Sequence, residues 1–285
     1  MFVLVKAFLF VFLTGSLFFE SRSYASGVRI YRAKPCELTL IGRSNLESAN
    51  ESRHLEGFPA RLPASPVFSK RELSRIRKLF DSYDMGLRRD SADDYYPSMA
   101  QLPYFTLKVR LTETRRAEIL SIKPNVREEP FKNKRLPKRL AQAMVDAVLE
   151  RAREQFPEHH ADFIRPQGFY VDISFIRYLL PYGERTAGVH WHNDGLSDVQ
   201  TIIPIRIPRN LKGGRIFIEE RPYDPKGNRV LAIEPRTNRM ILFLGNEESW
   251  HKVEDFRVEG VSSGNAIRDV LGVSFSTSYS EGQYR

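Results

Sequence analysis

Short runs of β-branched and aromatic residues fill the second half of the chain. From Gly168 onward these runs alternate with Gly, Pro, Asn and Asp, and no spacer of helical length separates them. We interpret the following runs as strands: FYVDISFIRYLL, VHWH, VQTIIPIRI, RIFIE, RVLAIE, RMILFLG, WHKVED and DVLGVSFSTSY. Many short strands bounded by turn residues favour an antiparallel sandwich or barrel over a parallel α/β sheet.

Two amphipathic helices are predicted ahead of the β-rich half. Residues 69–72, Ser-Lys-Arg-Glu, form a capping box that begins a helix extending to about Tyr83. A second helix follows Pro137, and its apolar positions fall on one face: Leu140, Met144, Val145, Val148, Ala152 and Phe156. We expect both helices to pack on a sheet. The predicted fold is mostly β with flanking helices, a jelly roll supported by N-terminal α-helices.

The predicted domain organisation has three parts. Residues 1–25 form a targeting segment, residues 26–68 an irregular lead-in rich in Pro, Ser, Gly and Arg, and residues 69–285 one domain with its β core at about 169–279. Residues 123–139 combine seven basic side chains with three prolines, which favours a solvated loop over a surface for an anionic substrate.

The first residues of the chain are strongly apolar. Residues 7–19 contain no charge and match the length of a signal-peptide core, which is shorter than a full bilayer crossing. Ser23 and Ala25 place small residues before a cleavage point. We expect a signal peptide that directs the protein to a secretory lumen or periplasm. The alternative is an uncleaved N-terminal anchor, which would be the protein's only contact with a membrane.

Charge and cysteine content exclude several classes of protein. The 44 basic and 35 acidic residues give a formal net charge of +9 that is spread over a mixed surface, so a nucleic-acid partner is not favoured. Cys36 is the single cysteine, and it cannot form an internal disulfide or a cysteine-based zinc site.

The candidate chemistry lies on two of the predicted strands. His190, His192 and Asp194 alternate along one strand, so their side chains project from the same face. His251 lies on a later strand that a closed sheet can bring opposite. Two imidazoles and one carboxylate form a facial triad that leaves coordination positions open and suits non-haem Fe(II). The same ligand types also suit Mn, Ni or Zn.

A late arginine supplies a candidate anion site. Arg268 begins an apolar strand, and a guanidinium can bind a carboxylate through two parallel hydrogen bonds. Three other arginines could take this role: Arg177, Arg206 and Arg215.

Together these residues resemble the Fe(II)/2-oxoglutarate-dependent dioxygenase superfamily. Its double-stranded β-helix carries His-x-Asp, a distal His, and an Arg or Lys on a late strand; the matching residues here are His192, Asp194, His251 and Arg268. Gly213-Gly214 before RIFIE is similar to the Gly-Gly turn of this superfamily, and RYLLPYG resembles the strand on which prolyl hydroxylases keep a tyrosine near 2-oxoglutarate. Tyr178 and Tyr182 both fit that position. Residues 252–267 form a longer interval than prolyl-hydroxylase-like members have, and we expect a widened turn at residues 259–266 to absorb the excess.

The resemblance implies an oxidoreductase, with the prolyl-hydroxylase-like branch favoured. His192, Asp194 and His251 would hold Fe(II), and Arg268 would bind 2-oxoglutarate together with Tyr178 or Tyr182. Dioxygen would be the second co-substrate, ascorbate a further cofactor, and succinate and CO2 the co-products. The substrate would be a protein or peptide side chain, prolyl or lysyl. The alternatives are a nucleic-acid dealkylating dioxygenase and a non-catalytic jelly-roll binding module.

The remaining histidine and the tryptophans of these strands receive weaker assignments. His190 shares a face with His192, so it either lines the pocket or is a hydrogen-bonded core or rim histidine. Trp191 and Trp250 each precede a proposed ligand and therefore point away from the metal, as packing residues.

Overall fold

The computed structural model contains two helices and fourteen strands in the residues that it describes. These residues are 60–83, 99–112, 114, 116–125, 134–157, 168–192, 198–219, 230–244, 249–260 and 264–276. The elements in chain order are β1 (Ala60–Arg61), α1 (Lys70–Tyr83), β2 (Met99–Leu111), β3 (Ala117–Asn125), α2 (Lys138–Gln155), β4 (Phe169–Pro181), β5 (Arg185–Thr186), β6 (Val189–His192), β7 (Val199–Arg206), β8 (Leu211–Gly213), β9 (Ile216–Glu219), β10 (Val230–Ile233), β11 (Ile241–Leu244), β12 (His251–Val253), β13 (Phe256–Val258) and β14 (Asn265–Ser276). Neither described helix is both long and apolar enough to span a bilayer.

The strands form three antiparallel sheets. The major sheet has the order β1-β11-β7-β14-β4-β2-β3, the minor sheet β10-β9-β12-β6, and a small third sheet β5-β13-β8. Neighbours in each sheet are mostly distant in sequence, as in a jelly roll. The predicted fold, a mostly β jelly roll of the double-stranded β-helix type with flanking helices, is confirmed.

Both predicted helices cover one face of the major sheet. Ser69 and Glu72 form the expected capping box, in which the Ser69 backbone N–H donates to the Glu72 carboxylate and the Glu72 N–H donates to the Ser69 hydroxyl. The apolar side of α1 is buried through Ile76 and Phe80. The alternate β4 residues that pack beneath the helices are Phe169, Val171, Ile173 and Phe175. We call this side of the major sheet its helix face.

The opposite side of the major sheet is its inner face, which packs against the other two sheets. Phe243 and Ile241 of β11 pack with Ile216 and Ile218 of β9 in one apolar cluster. A second cluster joins β4 and β14 to β13, and its buried members are Tyr178, Leu180, Phe256, Val258, Ala266 and Val270. Side chains alternate across a strand, so each residue of β4 and β14 belongs to only one of the two faces.

Strands β2 and β3 were not predicted from the sequence. Phe105, Leu107 and Val109 alternate along β2 and are buried on the helix face, so the signal was present in the sequence. The prediction of a solvated loop at residues 123–139 is partly wrong, since residues 123–125 complete β3 and α2 begins at Lys138. Pro124 is tolerated because β3 is an edge strand, where a missing N–H costs no ladder hydrogen bond. Residues 126–133 lie outside the described part of the chain.

The end of the predicted lead-in is attached to the major sheet. Strand β1 pairs with β11, and the Asn238 side chain accepts a hydrogen bond from the Phe68 N–H and donates one to the Phe68 carbonyl. These contacts hold residues 60–68 against the turn before β11. The predicted targeting segment, residues 1–25, lies outside the described residues.

A buried ion-pair network fastens α1 to the helix face. The Arg177 guanidinium donates to both carboxylate oxygens of Asp269, at 2.7 and 3.0 Å, and to Asp81 of α1 at 2.9 Å. Arg206 donates to the same Asp81 carboxylate. The two arginines lower the pKa of Asp81, Arg206 through the stronger hydrogen bond.

We expect Arg177→Ala to destabilise the fold strongly. The substitution leaves the fully buried Asp269 carboxylate without its main partner, and breaking a buried pair in this way costs about 3–5 kcal/mol. Urea denaturation followed by circular dichroism measures the loss. Arg110→Ala is the matched control, because the Arg110–Glu118 pair lies on the surface and its loss should leave the urea midpoint unchanged. Equal midpoints for the two variants would contradict the assigned role of the network.

Candidate active site on the inner face

His192 and His251 face each other across a strand pair of the minor sheet. β12 pairs antiparallel with β6, and His251 and His192 are direct partners in this register. Their ring centroids lie 4.2 Å apart with the planes inclined by 54°. Gly188, just before β6, permits this approach, because a Cβ atom there would overlap the Val253 carbonyl oxygen of β12. The sequence separates the two histidines widely, and the sheet brings them together.

Both imidazoles are oriented in the same way. Nδ1 of His192 lies 2.7 Å from the carbonyl oxygen of His190, and Nδ1 of His251 lies 3.0 Å from the carbonyl oxygen of Ser249. A carbonyl can only accept, so each Nδ1 donates its hydrogen and the lone pair of the neutral ring is on Nε2. This is the tautomer in which a histidine binds a metal through Nε2.

His251 lies between the major and minor sheets. Its ring is buried and stacks on Phe243 of β11, with centroids 4.8 Å apart and an interplanar angle of 26°. The Ser249 hydroxyl, in turn, donates to the Leu244 carbonyl at the end of the same strand. His251 is therefore held directly over β11 on the inner face.

The third predicted ligand is not among the described residues. Asp194 lies in residues 193–197, and the described residues contain no group of three His, Cys, Asp or Glu side chains suited to a metal. His190 is exposed, which excludes the core position among those considered for it. Trp191 contacts the Lys252 ammonium group, and Trp250 is buried.

Arg268 is buried on the inner face without a carboxylate partner in the described residues. Its Nη2 donates to the Gly214 carbonyl over 3.3 Å, while Nε and Nη1 have no hydrogen-bond partner there although both are inaccessible to solvent. The guanidinium lies between the rings of Tyr178 and Phe256, 5.5 and 5.1 Å from their centroids. Phe256 was not singled out from the sequence, where it reads only as an apolar residue after His251.

Burial makes the positive charge of Arg268 energetically unfavourable. Desolvation lowers the pKa of Arg268 and raises the pKa of the neighbouring Tyr178. A guanidinium nevertheless stays charged at neutral pH, and a buried charge is costly until a counter-ion with hydrogen-bond acceptors neutralises it. The geometry at Arg268 therefore fits a bound anion, because an anionic oxygen can accept a hydrogen bond from an orphaned nitrogen.

The three alternative arginines all have carboxylate partners. Arg177 and Arg206 lie on the helix face in the network with Asp269 and Asp81. Arg215 binds Glu254 through two hydrogen bonds of 2.6 and 2.9 Å. Among the arginines considered from the sequence, Arg268 is thus the one without a carboxylate partner in the described part of the chain.

The structure also separates the two candidate tyrosines. Tyr178 is the direct cross-strand partner of Arg268 in the β4–β14 pair and packs edge-on against Phe256. Tyr182 follows the end of β4, about 13 Å further along the chain at the rise of an extended strand, and bridges to Val258. Tyr178 is the tyrosine that lies beside the buried guanidinium.

The Gly213-Gly214 turn leaves space for the Arg268 side chain. Both glycines have positive φ angles, +77° and +73°. A Cβ atom on Gly214 would lie 2.7 Å from Nη1 of Arg268, and one on Gly213 would overlap the Asp255 carbonyl oxygen. The turn must therefore lack side chains for β8 and β9 to pass this close to β13 and β14.

The long interval between His251 and Arg268 contains a strand. Strand β13 occupies Phe256–Val258 and pairs with both β5 and β8, which places Phe256 against Arg268. The predicted widened turn at 259–266 is described only in part, because residues 261–263 lie outside the described residues.

Comparison with known proteins places the chain by its fold. No family model and no curated protein matches the sequence. Among solved structures, IDO from Bacillus thuringiensis is 12% identical, with a TM-score of 0.53 over 78% of this chain and 91% of that one. An oxidoreductase of the 2OG-Fe(II) oxygenase family from Burkholderia pseudomallei is 15% identical, with a TM-score of 0.44 over 77% and 85% of the two chains. A Pseudomonas putida prolyl-4-hydroxylase is 13% identical, with a TM-score of 0.43 over 78% and 94%. At these identities the similarity is one of fold.

Proposed function

We propose that the protein is an Fe(II)- and 2-oxoglutarate-dependent dioxygenase that hydroxylates its substrate and releases succinate and CO2. His192, Asp194 and His251 would hold Fe(II), and Arg268 would bind the distal carboxylate of 2-oxoglutarate. The observation that carries this proposal is the buried Arg268 guanidinium, whose Nε and Nη1 have no partner among the described residues. A structural arginine would resemble Arg177, which is equally buried but paired with Asp269.

Some residues of the site would bind the metal and the co-substrate, and others would exclude water. Fe(II), when bound, would supply the activation of dioxygen. His192 and His251 present Nε2 lone pairs because their Nδ1 atoms donate to backbone carbonyls. Arg268 and Tyr178 fix one end of the co-substrate, and the apolar cluster around Phe256 keeps water from that end. Such fixed charges in a dry site orient a reactant without reorganisation.

The proposed substrate is a protein or peptide side chain, prolyl or lysyl. Support comes from the similarity of RYLLPYG to prolyl hydroxylases and from the predicted signal peptide or anchor at residues 1–25, which would place the enzyme in a secretory lumen or periplasm, or at a membrane. Ascorbate belongs to this proposal as a further cofactor.

Anaerobic addition of Fe(II) and then 2-oxoglutarate tests the proposed function. We expect a weak visible charge-transfer absorption that His251→Ala and Asp194→Ala both abolish, because each removes a metal ligand. His190→Ala is the matched control: its ring is exposed on the same strand as His192, and the absorption should persist. Circular dichroism checks that all three variants fold. If folded wild-type protein gives no absorption, the chain is a binding module and the enzyme proposal is wrong.

Arg268→Ala should raise the concentration of 2-oxoglutarate needed for half-maximal absorption. A hydrogen bond between charged groups contributes about 1.5–3 kcal/mol, which corresponds to about a 10- to 150-fold change in affinity. Arg268→Lys should rescue binding only in part, since an ammonium lacks the two-pronged geometry. Arg215→Ala is the control, because Arg215 is paired with Glu254. An unchanged 2-oxoglutarate requirement in Arg268→Ala would remove the co-substrate role from this residue.

Gly214→Ala should mimic the loss of Arg268 without removing a charge. The added methyl group would displace Nη1 of Arg268, so the 2-oxoglutarate requirement should rise at least tenfold, in the range expected for one charged hydrogen bond. Gly183→Ala is a closely matched control, because the φ of Gly183, +77°, is close to the +73° of Gly214, but no neighbour lies within 4 Å of the added atom. The two variants share the backbone strain and differ in the contact. Equal effects would mean that strain, and not the position of Arg268, is responsible.

A further inference from the structure

A row of polar side chains crosses the inner face of the major sheet, level with the imidazole pair. Phe243, on which His251 stacks, is the cross-strand partner of Gln200. Gln200 in turn pairs with Ser274, and Ser274 pairs with Asp172 of β4. Direct partners in an antiparallel sheet project to the same side. The row therefore runs from beneath His251 to Asp172, which is three strand spacings from Phe243, about 14 Å.

The inner face is partly open to solvent along this row. Gln200, Ser274 and Asp172 are half-buried, whereas the neighbouring helix-face residues Val171 and Ile173 are fully buried. Gly272, next to this row, adds no side chain to the inner face, and a Cβ atom there would overlap the Ser174 hydroxyl. Within the described residues, the row is thus a partly exposed polar strip on the inner face.

Asp172 is chemically the most unusual member of the row. Thr106 of β2 donates a hydrogen bond of 2.5 Å to its carboxylate. A carboxylate offers about four acceptor sites, and within the described residues it accepts no other hydrogen bond and has no basic partner. Aspartate is also disfavoured inside strands, so packing alone does not account for it. Burial raises the pKa of this carboxyl more than the Thr106 hydrogen bond lowers it.

We propose that Asp172 is a specificity-determining residue that binds a cationic group of the substrate, an ammonium or guanidinium group. The cation would neutralise the half-buried carboxylate and occupy the acceptor sites that Thr106 leaves. The width of the row separates the substrate cation at Asp172 from the imidazole pair. Asp172 would therefore recognise a part of the substrate that is remote from the atom to be hydroxylated. This inference rests on the proposed function, because it takes the cationic molecule bound at Asp172 to be the substrate. It predicts that basic peptides bind better than neutral ones.

Fragment binding to the purified full-length protein tests the proposal without turnover. The probes are n-butylammonium, n-butylguanidinium and, as the neutral comparison, n-butanol, each titrated while protein NMR signals are followed. We expect one or both cations to bind wild-type protein, n-butanol to bind at least tenfold more weakly, and Asp172→Asn to weaken cation binding at least tenfold. Whether the ammonium or the guanidinium binds better distinguishes a lysine-like from an arginine-like group.

Asp146→Asn is the matched control. Asp146 of α2 is more exposed than Asp172, but desolvation also raises its pKa, and it also accepts a hydrogen bond from a neutral side chain, Gln142. It lies on a helix away from this strip, so this variant should bind the cations as wild-type protein does. The proposal is overturned if no cation binds, if n-butanol binds equally well, or if Asp172→Asn and Asp146→Asn behave alike.

The result is independent of the test of the proposed function. If cations bind through Asp172 but wild-type protein gives no absorption with Fe(II) and 2-oxoglutarate, the dioxygenase proposal fails and the cation site stands. If the absorption is present but binding does not depend on Asp172, the dioxygenase proposal stands and this inference fails.

Discussion

The register between β4 and β14 is the constraint on which the rest of the structure depends. These two strands pair along their whole length, from Asn265 with Pro181 to Ser276 with Tyr170. At one rung Asp269 meets Arg177, and at the next Arg268 meets Tyr178. Because neighbouring positions project to opposite faces, one arginine finds a carboxylate under α1, and the other enters the inner face, where no described residue supplies one. A shift of one residue would exchange the two faces.

The two smaller sheets supply the other contacts that position the site residues. Strand β13 and the Gly213-Gly214 turn close around Arg268, and the turn can do so only because neither glycine carries a side chain. On the minor sheet, the pairing of β12 with β6 sets two imidazoles face to face and leaves backbone carbonyls to orient them. Each of these contacts acts through geometry, because it determines which atom of an arginine or histidine side chain faces the interior.

The inner face carries opposite charges at its two ends. Arg268 lies beside Tyr178, and Asp172 lies about 20 Å away along the same strand. Ile176 and Val270 make the part of this stretch beside Tyr178 apolar, and Ser174 and Gly272 lie between them and Asp172. A buried cation at one end suits an anionic co-substrate, and a half-buried anion at the other suits a cationic substrate group. The separation would keep each charge with its own ligand.

The sequence by itself determined eight strands of the β-rich half, both helices and the jelly-roll class, because periods of two and 3.6 residues follow from local geometry. It also indicated the histidines and Arg268 as candidates, since few residue types bind metals or carboxylates. It left Arg177, Arg206 and Arg215 as alternatives to Arg268 and did not choose between the two tyrosines. It did not single out Asp172 or the strands β2, β3, β5, β8 and β13. Only the tertiary structure separated these, because ion pairs such as Arg177–Asp269 join residues far apart in the chain. Whether a charge is paired or orphaned depends on cross-strand register and burial, which no local pattern contains.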